Sequence, residues 1–256
     1  MCGIVGIAGQ QHRGWIRRMN SSILHRGPDD QGEYFNQESS VSLAMRRLSI
    51  IDLESGHQPM PNNDRSIWIV FNGEIYHAPE IRQRMEQQGQ RFSTSHSDTE
   101  VLLHLYEEKG FSLLDDLNGM FAFVIHDQKR NLLFGARDRM GIKPLYYYSA
   151  NGRFAFASEL KALLTLPIID REIDRQSLFH YMTLLYVPDG ASIIKGVQRI
   201  PPAHSFTYHL KSHQLTLRKY WQLKFTAGKQ HSEDDWTQGL CAVLEGAVRR
   251  GSLSDV

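Results

Sequence analysis

A strand that starts almost at the first residue constrains this chain more than any other feature. The run Ile4–Ile7 is apolar and short, and so predicts a buried strand that fixes Cys2 at the end of a sheet. Further strand-like runs follow. Ser66–Phe71 is one, stopped by Asn72-Gly73. Met120–Ile125 and Leu132–Gly135 form a hairpin-like pair, and Leu145–Tyr148 and Phe154–Ala157 repeat that pattern around Asn151-Gly152. Pro79–Gln88 carries Ile81 and Met85 on one face and closes at Gly89, which predicts a helix. Ser97–Lys109 predicts a second helix, with Ser97 and Glu100 as a capping box, an apolar stripe of Leu102, Leu103 and Tyr106, and Gly110 as its stop. Strands flanked by a few helices point to stacked sheets covered by helices, an α/β layered fold.

The end of the chain reads differently. Pro201-Pro202 precedes two short strand-like runs, and Thr226–Ser232 has the composition of a linker. Ser232–Arg250 then predicts a helix whose acidic first turn and basic last turn match the helix dipole. Trp236, Leu240, Val243, Leu244 and Ala247 lie on one face of it with nothing following to cover them, as expected at the start of a second, truncated domain.

Composition excludes several function classes. A formal net charge of +1 with dispersed Lys and Arg gives no footprint for nucleic acid or an anionic membrane. No apolar run reaches the ~18–20 residues of a membrane span, and the N-terminus lacks a signal-peptide pattern. The two cysteines, Cys2 and Cys241, are sparse usage that suits a reducing cytoplasm. No Cys/His cluster has metal-ligand spacing, so no metal is expected.

Cys2 is the residue with the most chemistry. Trimming of Met1 would leave an N-terminal cysteine, which holds a thiol nucleophile and an α-amine base in one residue. Their ordinary pKa values, about 8.5 and about 7.7–8.0, both lie close to neutral. Four other polar stretches stand out: Leu24-His25-Arg26-Gly27-Pro28-Asp29, Arg46–Asp52, Phe71–Tyr76 and Ser97–Glu100. Taken singly each has an ordinary reading. Asn72-Gly73 is the commonest hairpin turn pair, or else an amide and a backbone N–H that together form an oxyanion hole. Asp98 complements a helix N-terminus. Arg47 is a surface charge or an ion-pair partner.

Taken in order, the stretches MCGIVGI, LHRGPDDQG, RRLSIID, FNGEIYH, SDTEVLLHLYEEKG, LNGMFAF, ARDRMGIKPLYY and FASELKALL resemble the glutamine amidotransferase domain of the N-terminal-nucleophile type, most closely that of glutamine-hydrolysing asparagine synthetases. The resemblance implies an α+β fold, a four-layer α-β-β-α sandwich of two antiparallel sheets. It implies an amidotransferase domain over 2–217, a linker over 218–231, and the first helix of an ATP-dependent synthetase domain over 232–256. It assigns Cys2 as nucleophile and Asn72 with Gly73 as oxyanion donors. Free L-glutamine would be held by Arg47 on the α-carboxylate, Asp98 on the α-ammonium and Glu74 on the side-chain amide, with Leu48, Ser49, Ile50 and Ile51 lining the pocket. Arg26 is expected near Cys2, and Cys241 in packing. No cofactor is implied in this chain, whereas ATP and Mg are implied for the missing C-terminal domain, which would convert aspartate to asparagine. A homodimer is compatible with the resemblance. Two rival readings stay open: the same glutaminase feeding a different acceptor, and a non-catalytic glutamine-sensing module.

Overall fold

The computed structural model describes residues 1–9, 12–225, 228, 232–252 and 254–256. The chain runs β1 (Gly3–Ala8), α1 (Arg13–Ser22), β2 (Asp30–Asn36), β3 (Val41–Arg47), β4 (Met60–Pro61), β5 (Ile67–Ile75), α2 (Ala78–Gln87) and α3 (Asp98–Lys109). It continues through α4 (Leu113–Asp116), β6 (Gly119–Asp127), β7 (Leu132–Arg137), β8 (Tyr146–Ala150), β9 (Arg153–Ala157), α5 (Leu160–Leu163) and α6 (Arg175–Leu184). Strands β10 (Val197–Arg199), β11 (His204–His209) and β12 (Leu215–Lys219) and helix α7 (Glu233–Arg250) complete it.

Strand pairing builds two six-stranded sheets, in the orders β10-β8-β9-β1-β3-β2 and β12-β11-β7-β6-β5-β4. Every pairing is antiparallel. The two-residue period of a strand sorts the side chains into layers. Val70, Ala122 and Val124 face the first sheet and meet Ile4, Leu43, Met45 and Phe154. Ile69, Phe71, Phe121, Phe123 and Ile125 face the other way, onto α2 and α3. On the far face of the first sheet, Val5, Ile7 and Ala155 pack on Ile16 and Met19 of α1 and Leu163 of α5. The result is a helix–sheet–sheet–helix sandwich with three apolar layers, the four-layer α+β fold expected. Strand β1 is buried at every position because it lies inside its sheet, between β9 and β3.

Three local expectations change. Strand β5 does not stop at Asn72-Gly73; it continues to Ile75 in register with β6, through Gly73↔Phe121 and Ile75↔Gly119. Gly73 makes this possible, since a Cβ there would lie 2.3 Å from the Met120 carbonyl oxygen. The capping box of α3 does not form, because the Ser97 side chain makes no cap bond. Glu100 turns back instead to accept from the N–H groups of Ser93 and Thr94, at 2.7 and 2.8 Å, and so ties down the approach to the helix. The amidotransferase boundary at 217 falls inside β12, which runs to Lys219. Tyr220 is still part of this body, as its hydroxyl donates to the Arg137 carbonyl at 2.7 Å.

Residues 226, 227 and 229–231 of the expected linker lie outside the described residues. Helix α7 begins where expected, capped by Ser232 with Asp235 at the third position. Leu240, Val243 and Leu244 are more than half exposed on it. No helix of the described residues is long and apolar enough to cross a membrane.

Candidate active site

Antiparallel pairing of β1 with β3 places the start of one strand beside the end of the other. Gly3 pairs with Arg46, which sets Cys2 next to Arg47 and the loop that follows it. The backbone around Cys2 is clamped on both sides. Ile4 N–H donates to Ser158 Oγ at 3.0 Å, Ser158 N–H returns to the Ile4 carbonyl at 2.9 Å, and Arg26 Nε donates to the Cys2 carbonyl at 2.8 Å. Arg26 is itself buried and held by Glu159 at 3.0 Å. The Cys2 Sγ lies 3.6 Å from the Leu48 carbonyl oxygen.

Arg47 shapes the next wall. Each of its two terminal nitrogens makes two hydrogen bonds: one to Ser49 Oγ and the Leu53 carbonyl, the other to the carbonyls of Ile51 and Asp52. The loop is wrapped around the guanidinium so closely that a Cβ on Gly56 would lie 2.1 Å from it.

The edge of β5 supplies a row of donors. In an antiparallel pair, alternate residues point their N–H toward the partner strand or away from it. Phe121 of β6 sends both its N–H and its carbonyl to Asp138, at 3.2 and 2.8 Å. Its opposite number Gly73 therefore points its N–H away from β6, as do Phe71 and Ile75. Phe71 N–H goes to Gln58 Oε1 at 2.7 Å and Ile75 N–H to Asp98 Oδ2 at 3.1 Å. The Gly73 N–H between them faces the cavity edge. Asn72 Nδ2 and Glu74 Oε1 are both buried, with no hydrogen-bond partner among the described residues. Burying such groups unpartnered costs about 1–3 kcal/mol each.

These elements enclose a cavity of about 170 Å³. Cys2, Arg47, Leu48, Ile50, Ile51, Asn72, Gly73, Glu74 and Asp98 all line it. Ser49 does not: its N–H donates to Asp29 Oδ2 at 2.9 Å and its hydroxyl accepts from Arg47, so it braces the wall from behind. Gly56, Gln58, Met120 and Lys143 also line the cavity without a site role expected from the sequence, as do Met1 and Thr99. Gln58 bridges Phe71 N–H to the Thr99 hydroxyl, a role with no local sequence signal. Lys143 lies within ARDRMGIKPLYY, one of the stretches that carry the resemblance, which assigned it no role.

Electrostatics follow from burial. Desolvation pushes the Cys2 thiol above its ordinary value, against the pull of the N-terminal amine and Arg47. It lowers the Met1 amine and raises Glu74, which Lys143 partly offsets. Asp98 moves furthest, to about 7, because it is enclosed and because Glu74 adds a like charge, while the Ile75 N–H pulls the other way. Among the described residues no group of three or more His, Cys, Asp or Glu side chains could hold a metal ion.

The cavity thus joins one thiol, a side-chain amide, two carboxylates, one guanidinium and one ammonium, from Cys2, Asn72, Glu74 and Asp98, Arg47 and Lys143. Residues 1–221 match the family model described as "Glutamine amidotransferase domain". The whole chain is 41% identical over 263 residues to asparagine synthetase [glutamine-hydrolyzing] 1 of Bacillus subtilis (strain 168), covering 41% of that protein. It is 37% identical over 245 residues to a putative asparagine synthetase [glutamine-hydrolyzing] 2 of Methanocaldococcus jannaschii, with 87% of this chain and 47% of that protein covered. The chain therefore spans less than half the length of these relatives. Two solved structures share its fold at 20% identity: the allosteric regulatory enzyme of purine biosynthesis, with a TM-score of 0.66, and glutamine phosphoribosylpyrophosphate amidotransferase from B. subtilis, with 0.62. Each covers 87% of this chain and half of its own. By family model, by identity and by fold, the chain belongs to the glutamine amidotransferase domain family.

Proposed function

We propose that this domain hydrolyses L-glutamine to glutamate and ammonia through a γ-glutamyl thioester on Cys2. The observation that carries the reading is the pair of buried, unpartnered atoms, Asn72 Nδ2 and Glu74 Oε1, on the wall that Cys2 shares. A primary carboxamide satisfies both at once. Its oxygen, which becomes the oxyanion, accepts from Asn72 Nδ2 and the Gly73 N–H; its nitrogen donates to Glu74.

Removal of Met1 frees the α-amine of Cys2. That amine takes the thiol proton as sulfur attacks the carboxamide carbon and passes it to the departing nitrogen, which leaves as ammonia. Water then cleaves the thioester by the same route in reverse. Asp98 takes the α-ammonium of the substrate and Arg47 its α-carboxylate. Because both terminal nitrogens of Arg47 already hold the loop over 48–53, carboxylate binding re-sorts those bonds, and loop order is coupled to occupancy.

The relatives named as asparagine synthetases support a further step: ammonia passes to the remainder of a longer protein, which uses it to make asparagine. The domain boundary then falls after Tyr220, and α7 opens the next domain, its exposed apolar side chains covered there. The sparse cysteines support a cytoplasmic setting.

The test is glutamate release from glutamine by protein whose N-terminus has been verified by intact mass. Release in step with ammonia is expected; none from correctly trimmed protein would sink the reading. Asn72→Ala should lower kcat about 10²–10³-fold with KM changed only a few-fold, because the oxyanion exists in the transition state and not in bound glutamine. A matching rise in KM with unchanged kcat would assign Asn72 to substrate binding instead.

A further inference from the structure

Lys143 is the one charged residue lining the cavity that the proposed reaction leaves unused. Its backbone is pinned: its N–H donates to Asp138 Oδ2 at 2.9 Å and its carbonyl accepts from Arg137 Nε at 2.7 Å. The side chain lines the cavity and is only 6% exposed. Its ammonium makes no hydrogen bond or ion pair among the described residues. A buried ammonium without a partner is costly, so its presence in a cavity points to use.

The charges around it can be sorted. Asp138 is occupied by the N–H groups of Phe121, Met140, Ile142 and Lys143 itself. Arg26 is committed to the Cys2 carbonyl and Glu159. Arg47 is wrapped in its loop, Asp98 is bonded to Ile75, and the N-terminal amine is the base of the reaction. Two acidic groups on this side have no charged partner: the Cys2 thiol, whose one hydrogen bond is to the Leu48 carbonyl, and Glu74, whose Oε1 has no partner among the described residues.

We propose that Lys143 is an electrostatic positioning residue whose ammonium stabilises the thiolate that Cys2 becomes as the amine takes its proton, and keeps Glu74 a carboxylate, on one side of the cavity. The two acids belong to different sheets, Cys2 at β1 and Glu74 on β5, and both line the cavity that Lys143 lines. This deepens the glutaminase reading and rests on Cys2 being its nucleophile. Burial raises both Cys2 and Glu74, and Lys143 opposes that for Glu74 directly.

The test is the pH profile of Cys2 alkylation by iodoacetamide, read by peptide mass so that exposed Cys241 is counted separately. Wild type, Lys143→Met and Lys143→Arg are compared. In the Met variant the midpoint should rise by about half a unit or more, slowing alkylation roughly threefold at neutral pH. The Arg variant, which keeps the charge, should track wild type. An unmoved midpoint in the Met variant overturns the proposal, as does an equal rise in both variants, which would make the role one of shape. Removing an unpartnered ammonium should leave the melting temperature at or above that of wild type, and Lys143→Gln gives the same comparison if Met packs poorly. Alkylation needs no glutamine, so a failed glutamate assay and a failed charge role are separate results.

Discussion

Replacing Cys2 with alanine is expected to abolish glutamate release while leaving a folded protein that still takes up glutamine. The backbone at residue 2 is held independently of its side chain: Arg26 bonds its carbonyl, and Ser158 bonds both the N–H and the carbonyl of Ile4. None of these contacts involves the thiol. The side chain is half-buried against the layer between the sheets, so its truncation costs under about 1 kcal/mol of burial. The chemical loss is of another order. Without sulfur no acyl-enzyme forms, and the cavity has only an oxyanion pair to act on a bound amide. Removing a covalent nucleophile from comparable sites lowers kcat on the order of 10⁴–10⁶-fold. Two readings check this: turnover, and an acid-quenched γ-glutamyl adduct seen by intact mass in wild type alone. Cys2→Ala protein that retains release would show that the chemistry lies elsewhere. Retained Met1 should mimic the loss of activity without loss of the thiol, because the amine is then displaced by one residue.

How much of this was legible beforehand depends on what kind of signal each feature leaves. The first strand was visible as an apolar run, and with it the position of Cys2. The hairpins around Asn131 and Asn151 were visible because both turns need residues that tolerate left-handed backbone. Strands β2 and β3 and helices α1 and α6 were not singled out. In β3 nearly every residue is buried, charged ones included, so no alternation marks it. Asn72-Gly73 misled as a turn pair because its two functions, an amide aimed between the sheets and a glycine close to β6, use the same residue types as a hairpin. The site residues became legible only jointly, through the family resemblance. Leu48 and Ile50 line the cavity as expected of that loop, whereas Ser49 between them turns its N–H to Asp29, a contact 20 residues away that the local sequence does not show. Lys143 and Gln58 had no signal of their own, as they reach the cavity from distant segments.

Asp98→Asn should separate the needs of the fold from those of the ligand. Enclosure raises the Asp98 carboxyl to about 7 in the folded protein, from an ordinary value of 3.8. A raised carboxyl binds its proton more tightly when folded, so its favourable contribution is complete below about pH 4 and is lost as pH rises through 7. At pH 8 the empty protein carries a buried, unpaired carboxylate at a cost on the order of 4 kcal/mol. Asparagine keeps an oxygen to accept from the Ile75 N–H and carries no charge. The variant should therefore melt several degrees above wild type at pH 8, with the gap closing toward pH 5. Glutamine reverses the balance, because its ammonium is the partner the carboxylate lacks. Losing one member of a buried ion pair costs about 3–5 kcal/mol, or roughly 10²–10³-fold or more in affinity. Calorimetry in the Cys2→Ala background isolates this term from catalysis. There the glutamine Kd should rise up to tenfold per unit as pH falls below 7, since a proton competes with the ammonium, whereas Asp98→Asn should bind weakly and without that slope. A Kd flat from pH 5 to 8 with Asp98 intact would remove it from the substrate clamp, and a variant less stable than wild type at pH 8 would mean that Asp98 serves the fold rather than the ligand.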